Sequence, residues 1–357
     1  QRGDHVDHAV DLLRRPGMHR GFPHIHTVHI LPAFFDIPLG NLLAADVLMA
    51  QEREQNFFQR VDSFFGLSST KNIDTTSYVL EPCGWMFNIN NNFAMMNVSS
   101  SFGESDIKAM SQFNYAIGVT AGYRNLILGY TFLRPVGNAR DMTLAINANA
   151  WGVEFRKYIN DDFNGTARLK GGSSIDIGSG DIEVESRYLR AYHTFNARRY
   201  STTAALDHRC IQRRSAGSVL FYTDFARHAL SFANVAIPAA YSDGIEKITY
   251  TSAALGLGYG YNLAFFDGRL LFHAMAVPMF AVIFDEAFSR YDVLETDRGT
   301  RFRMGLIARL AANYRINDHF GINLMAVYNR TAMSGRIEEC NMAWNDLLVR
   351  ASLCCRF

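Results

Sequence analysis

Strict two-residue alternation is the feature that most limits what this chain can fold into. Between Ser252 and Leu263, Ala253, Leu255, Leu257, Tyr259, Tyr261 and Leu263 occupy one set of positions, and Ser252, Ala254, Gly256, Gly258, Gly260 and Asn262 occupy the other. Side chains change sides at every residue only in a strand. Asp267-Gly268 then supplies the positive-φ residue of a tight hairpin, and a second strand runs on to Phe280. One face is greasy and aromatic-tipped, the other nearly bare. Lipid outside and a crowded or wet lumen inside require that division.

Composition narrows the choice. The chain has 357 residues, 48% hydrophobic and 13% aromatic, but only 19% charged, below the ~25% usual in soluble domains. A net charge of +1 provides no general field for nucleic acid, which is not expected as a partner. The longest apolar run, Ala274 to Phe284, is too short to cross a bilayer as a helix and contains Pro278. Residence in a membrane would therefore require a closed barrel, in which neighbouring strands satisfy every backbone group. The five cysteines, Cys83, Cys210, Cys340, Cys354 and Cys355, have no CxxC spacing and read as small apolar barrel residues. Gln1 reads as a start left by processing.

Residues 1–73 lack the barrel pattern and are expected to form an N-terminal extension. They hold six of the eleven histidines, His5, His8, His19, His24, His26 and His29. No carboxylate or cysteine completes a metal-ligand spacing around them, so neither metal nor cofactor is expected. Val47 to Phe65 reads as a helix with an apolar stripe of Leu48, Phe57, Val61 and Phe64. The extension is expected to be periplasmic or plug-like, against a partner or the barrel itself.

From Trp85 the period is two. Strands are expected around 85–95, 113–123, 126–132, 143–158 with a slip near Trp151, 183–195, 200–211, 215–225, 252–263, 270–280, 301–315, 320–328 and 341–357. That is about twelve, an even number as bacterial barrels require. The links at 123–125, 267–268 and 316–318 are short and belong on the periplasmic side, with the longer links outside. Two links break the rule: Asn160 to Gly180 is long where a short turn is expected, and Asn196 to Arg199 is short where a long loop is expected. Either marks a miscounted strand.

Asn196, the strand start Arg199-Tyr200-Ser201 and the turn Gln212-Arg213-Arg214-Ser215-Ala216-Gly217-Ser218 together resemble a Bacteroidota outer-membrane barrel family catalogued as a domain of unknown function. Asp74 to Leu80, the Ala116 to Tyr130 hairpin and the Arg356-Phe357 terminus are similar to it as well, so the resemblance covers residues 74–357. It implies a barrel in the bacterial outer membrane and carries no catalytic residues. Phe357 also looks like the terminal signal such barrels present to their assembly machinery.

The expected fold is therefore all-β: a transmembrane antiparallel β-barrel of about 12 strands over 74–357, with a partly helical, non-barrel extension before it. Asp207, Arg209, Tyr222, Asp224, Arg301, Arg303, Arg309 and Arg350, with Ser201, Thr203 and Ser218, are expected to share the lumen as a polar network that fills it. Lipid-facing arginine costs about 2–4 kcal/mol at the midplane, so Arg309 must point inward. Gln212 to Ser218, including Gly217, reads as a periplasmic turn whose Arg213 and Arg214 could touch a partner or lipid headgroup. The bare Gly256-Gly258-Gly260 face leaves room for lumen side chains or a plug. A serine hydrolase would draw on Ser201 or Ser218 with His208 or His193, but the register puts Ser and His208 on opposite faces. The leading expectation is a non-enzymatic structural or accessory subunit of an outer-membrane complex, in contact with phospholipid and lipopolysaccharide. A narrow, porin-like pore for small solutes, anions among them, comes next, and a lipid-modifying enzyme last.

Overall fold

The computed structural model describes Arg60, residues 73–80 and residues 84–357 apart from 103–104, 112–113, 124–125, 137–139, 170–171, 207–208, 233–244, 291–292, 298–300 and 335–340. The six N-terminal histidines and all but one residue of the helix expected over 47–65 lie outside the described residues.

The strands in chain order are β1 (Tyr78–Leu80), β2 (Trp85–Phe102), β3 (Ser105–Ser111), β4 (Asn114–Tyr123), β5 (Leu126–Val136), β6 (Arg140–Asn147), β7 (Trp151–Asn160), β8 (Phe163–Leu169), β9 (Ser174–Ile177), β10 (Ile182–Thr194), β11 (Cys210–Gln212), β12 (Ala216–Phe232), β13 (Ile245–Phe265), β14 (Leu270–Arg290), β15 (Val293–Asp297), β16 (Arg301–Arg315), β17 (Phe320–Ser334) and β18 (Asn341–Arg356). A short helix, α1, spans Thr202–Leu206. Twelve strands, β2, β4, β5, β6, β7, β10, β12, β13, β14, β16, β17 and β18, close an antiparallel barrel. Closure is made by β18 on β2, from Asn341↔Ser101 to Arg356↔Met86. Followed once around the wall, the register returns displaced by about 14 residues, which tilts the strands by roughly 40°.

The expected number of strands is right, but two of the expected strands are not. Residues 143–158 hold a hairpin: β6 ends at Asn147, β7 begins at Trp151, and the Ala148 amide donates to the Trp151 carbonyl at 2.8 Å. The turn residues Ala148, Asn149 and Ala150 include neither Gly nor Pro, so the chain reverses where the sequence reads as a slip. Residues 200–211 are not a wall strand. Ser201 caps α1, its Oγ accepting the Ala204 amide at 3.2 Å, and the β-branched threonines of a helical turn read as strand. The two errors cancel in the count. With both corrected, the misplaced links fall into line. The 161–181 excursion joins the long-loop rim, and 195–215 crosses the short-turn rim between β10 and β12. The first, expected as a plain loop, contains β8 and β9, which continue through β3 from β2 as a small sheet.

Inward side chains form three layers. At the long-loop end Phe163, Ala167 and Ile177 of the small sheet pack with Ile182, Leu230, Ile248 and Trp344 of the barrel wall, closing that mouth with apolar groups. In the middle a polar cluster stands beside an apolar one that includes Tyr192, Leu220, Tyr222, Met275, Val277 and Ile307. At the short-turn end Tyr78, Ala204, Ala205, Cys210 and Leu271 close the other mouth. Outward side chains on β13, from Leu255 through Leu257, Tyr259, Tyr261 and Leu263 to Phe265, are all exposed.

Candidate functional site

Inside a barrel every second residue faces the lumen, so a charged pair two apart on one strand delivers both charges to the same space. Glu154 and Arg156 on β7 do this. Arg156 holds Asp141 of β6 in a two-pronged pair, Nε–Oδ1 at 2.7 Å and Nη2–Oδ2 at 2.8 Å. Its Nη1 donates to Tyr188 at 3.3 Å, and the Tyr188 hydroxyl donates to Glu154 at 3.2 Å. Arg190 of β10 pairs with Asp224 of β12 at 2.8 Å, directly across the ladder, and lies over the Tyr188 ring at 4.5 Å. Arg309 of β16 reaches Glu154 at 3.4 Å from the far side of the barrel. Arg350 of β18 donates to Asn92 Oδ1 at 2.7 Å. Tyr222 is fully buried and stacks on Tyr192 with centroids 5.6 Å apart. The space left among Asn88, Asn90, Glu154, Arg156, Arg309 and Arg350 is about 110 Å³, room for a few waters rather than an open channel.

The short-turn mouth is filled by 195–215 with β1, and Gln212 is its hub. Gln212 Oε1 accepts the Ser201 amide at 3.0 Å and Asn262 Nδ2 at 3.0 Å. Its Nε2 donates to the carbonyls of Arg199 at 2.6 Å and Arg214 at 2.9 Å, with the Ser77 carbonyl at 3.3 Å. Asn262 also donates to the Ser201 carbonyl at 2.8 Å and accepts His273 Nδ1 at 2.8 Å. Asn313 on β16 donates to the last carbonyls of α1, Ala204 and Ala205, at 2.8 and 2.7 Å. These wall asparagines satisfy backbone groups that a buried loop would otherwise leave open. β11 pairs with β1 from Tyr78↔Gln212 to Leu80↔Cys210, and the Tyr78 hydroxyl donates to the Ala197 carbonyl at 2.6 Å. Burial pushes the Tyr78 phenol pKa up. Asp74 accepts the Thr76 hydroxyl at 2.6 Å, and this bond above all holds its carboxyl below the ordinary value.

The expected site residues are distributed over both regions. Tyr222, Asp224, Arg309 and Arg350 belong to the lumen layer, and Arg303 is partly buried on the same side of β16. The side chain of Arg301 and the whole of Asp207 and His208 lie outside the described residues. Arg209, expected on a wall strand, lies instead in the mouth segment, buried, with Nη2 3.4 Å from the Leu126 carbonyl. Gln212 to Ser218 is not a single turn: Gln212 ends β11, Arg213 to Ser215 form the exposed link, and Gly217 and Ser218 already belong to β12. Arg213 stands 3.9 Å from Asp267, and Ser215 Oγ accepts the Ala264 amide at 3.0 Å. Ser218 Oγ accepts the Asn196 amide at 2.9 Å.

The glycine face serves two purposes. Gly260 gives its side-chain space to Tyr200 of the mouth segment, while Gly256 and Gly258 let β14 close on β13 around Pro278, where an added Cβ would meet β14 backbone. The occupant at Gly260 thus comes from the middle of the chain. Ser218 faces inward and His193 outward, where it meets the Phe195 ring at 5.1 Å, so these two do not come together. Among the described residues no three His, Cys, Asp or Glu side chains converge as a metal site needs. Sequence reading missed Asp141, Glu154, Arg156, Tyr188 and the Asn262–Gln212 pair. Glu154 and Arg156 were legible from their two-residue spacing; the Asn262 contact joins residues 50 apart in sequence and leaves no local signal.

Comparison with known proteins gives one family: a domain of unknown function, DUF4421, matches residues 76–342. No curated protein matches the chain. Among solved structures, the outer membrane protease OmpT of Escherichia coli is 8% identical, with 78% of this chain and 98% of that one covered and a TM-score of 0.40. The translocator domain of the autotransporter NalP of Neisseria meningitidis is 11% identical over 84% and 94%, with a TM-score of 0.36. The β-domain of the Bordetella autotransporter BrkA is 12% identical over 77% and 100%, also at 0.36. At these scores the likenesses carry no functional argument, and the barrel assignment rests on the chain's own strand pairing.

Proposed function

The chain belongs to the DUF4421 family, and we propose that it is a bacterial outer-membrane β-barrel acting as a structural or accessory subunit of an outer-membrane complex, without catalysis. The observation that carries this reading is the filled lumen. A solute path would have to cross the apolar layer of Phe163 and Trp344, the Glu154–Arg309 bridge and the Gln212-centred mouth. Location in the outer membrane is supported by closure without free wall edges and by the exposed Leu255-to-Phe265 face. With short turns on the periplasmic side, Ile73 and Asp74 lie at that mouth, which supports a periplasmic partner for the accessory role.

Planar-bilayer recording tests the first half of the reading. Silence is expected from the intact chain, and also after removal of the residues before Asp74. A steady conductance that changes on Arg309→Ala would replace this reading with the small-anion pore. Native co-purification in mild detergent tests the second half: a partner retained by the full chain and lost with residues 1–73 is expected, and a solitary barrel in every detergent removes the accessory role.

A further inference from the structure

The outer wall carries a line of cations at the top of its apolar band. Lys157 of β7, Arg187 of β10 and Arg227 of β12 are direct cross-strand neighbours. Lys157 and Arg187 are partly exposed, Arg227 is exposed, and Arg140, exposed on β6 opposite Ile159, stands one register step above the line. One register step lower on the same outward face lies an apolar row, Leu144, Phe155, Leu189 and Phe225, again paired strand to strand. One carboxylate, Glu185, sits among the cations, 2.8 Å from Arg187 and 3.3 Å from Lys157. Glu183 is exposed on the same face of β10, so among the described residues the patch carries four positive charges against two negative and is net basic.

The height of this line fits a membrane boundary. On β13 the apolar face from Leu255 to Leu263 covers about 20–25 Å once strand rise and tilt are combined, the height of an outer-membrane apolar band. The tilt carries the Lys157–Arg187–Arg227 line to the upper limit of that band, on the long-loop side. Cations placed there cannot be buried in hydrocarbon, and their stems lie along apolar surface while the charged heads reach the headgroup layer.

We propose that Arg140, Lys157, Arg187 and Arg227 form a binding surface for the phosphate groups of lipid in the leaflet on the long-loop side. The occupant is a lipid carrying more than one phosphate, since one phosphate cannot span the two strand spacings, about 10 Å, from Lys157 to Arg227. Its acyl chains lie against Leu144, Phe155, Leu189 and Phe225, and its phosphates bridge neighbouring guanidinium and ammonium groups. This inference rests on the membrane location proposed above.

The test is reconstitution of the full chain into nanodiscs of phosphatidylcholine doped with phosphatidylglycerol or with bis-phosphorylated lipid A, followed by detergent extraction and quantification of retained lipid. The wild type is expected to retain lipid A over phosphatidylcholine, with retention falling as salt is raised. The triple variant Lys157→Gln, Arg187→Gln, Arg227→Gln is expected to lose about tenfold or more of that retention, while Arg330→Gln, an exposed cation on β17, keeps it. Heat-modifiable migration on gels establishes that each variant is folded. If the triple variant misfolds, the salt dependence and lipid preference of the wild type decide alone. Equal retention of lipid A and phosphatidylcholine overturns the inference, as does equal loss in Arg330→Gln or competition by millimolar inorganic phosphate as effective as by lipid A. A chain that enters no bilayer at all overturns the membrane reading instead, so the two failures are distinct.

Discussion

Arg309 and Glu154 meet at 3.4 Å from β16 and β7, which stand five places apart around a twelve-strand ring. The pair therefore spans almost the full width of the lumen. Glu154 also accepts from Tyr188, and Tyr188 accepts from Arg156, so the carboxylate end of the bridge is anchored on the β7–β10 wall. Removing either charge leaves the other enclosed without its partner.

Arg309→Met and Glu154→Leu, each alone, are expected to lower stability by about 2–4 kcal/mol, and the double variant by less than the sum. Urea unfolding in phospholipid vesicles, followed by tryptophan fluorescence, gives the cycle. Strict additivity would mean that the bridge contributes no coupling.

Gln212 joins three strands of backbone through one side-chain amide. Gln212→Glu keeps the acceptor for Ser201 and Asn262 but sets a carboxylate against the Arg199 and Arg214 carbonyls. It should loosen the mouth segment at least as much as Gln212→Ala, by about 2–4 kcal/mol. Limited proteolysis between residues 195 and 215 reads this out, with a resistant Gln212→Glu protein as the contrary result.

Gly260 and Tyr200 form a size-matched pair. Gly260→Ala should destabilise by about 1–3 kcal/mol in the native background and clearly less in a Tyr200→Phe background, where the colliding oxygen is gone. An equal cost in both backgrounds would show that Tyr200 is not what Gly260 accommodates.

Asp74 ties the segment entering the barrel to Thr76, with Arg199 at 3.5 Å. Its folded pKa lies below the ordinary value of 3.8. The contribution is therefore complete above the unfolded pKa and is lost as pH falls through the folded one. Amide exchange protection of residues 74–80 should drop below about pH 4 in the native protein. Asp74→Asn should remove this step, and an unchanged acid transition in that variant would exclude the carboxylate as its source.

How far the sequence could be read follows from how local each signal is. The facing of β13, β14, β16 and β17 was legible because alternation is imposed by the two environments on either side of the wall, although β13, β14 and β17 run six to ten residues farther toward the long-loop end than 252, 280 and 328. Facing also assigned Arg309 and Arg350 inward, since the alternative puts a guanidinium in hydrocarbon. The β6–β7 turn was missed because a tight reversal needs no Gly or Pro when its residues keep negative φ. Segment 200–211 was misread because Thr-Thr-Ala-Ala has the composition of a strand, and only Asn313 and Asn323, over a hundred residues away, satisfy the carbonyls of the turn it forms.

The sequence by itself determined a wall of alternating strands and the inward direction of Arg309 and Arg350, because each follows from what a residue's immediate neighbours must face. Only the tertiary structure decided what fills the barrel. Glu154 finds Arg309, Gln212 finds Asn262 and Tyr200 finds Gly260 through closure of the ring, which brings together side chains from distant strands in a space no local pattern describes.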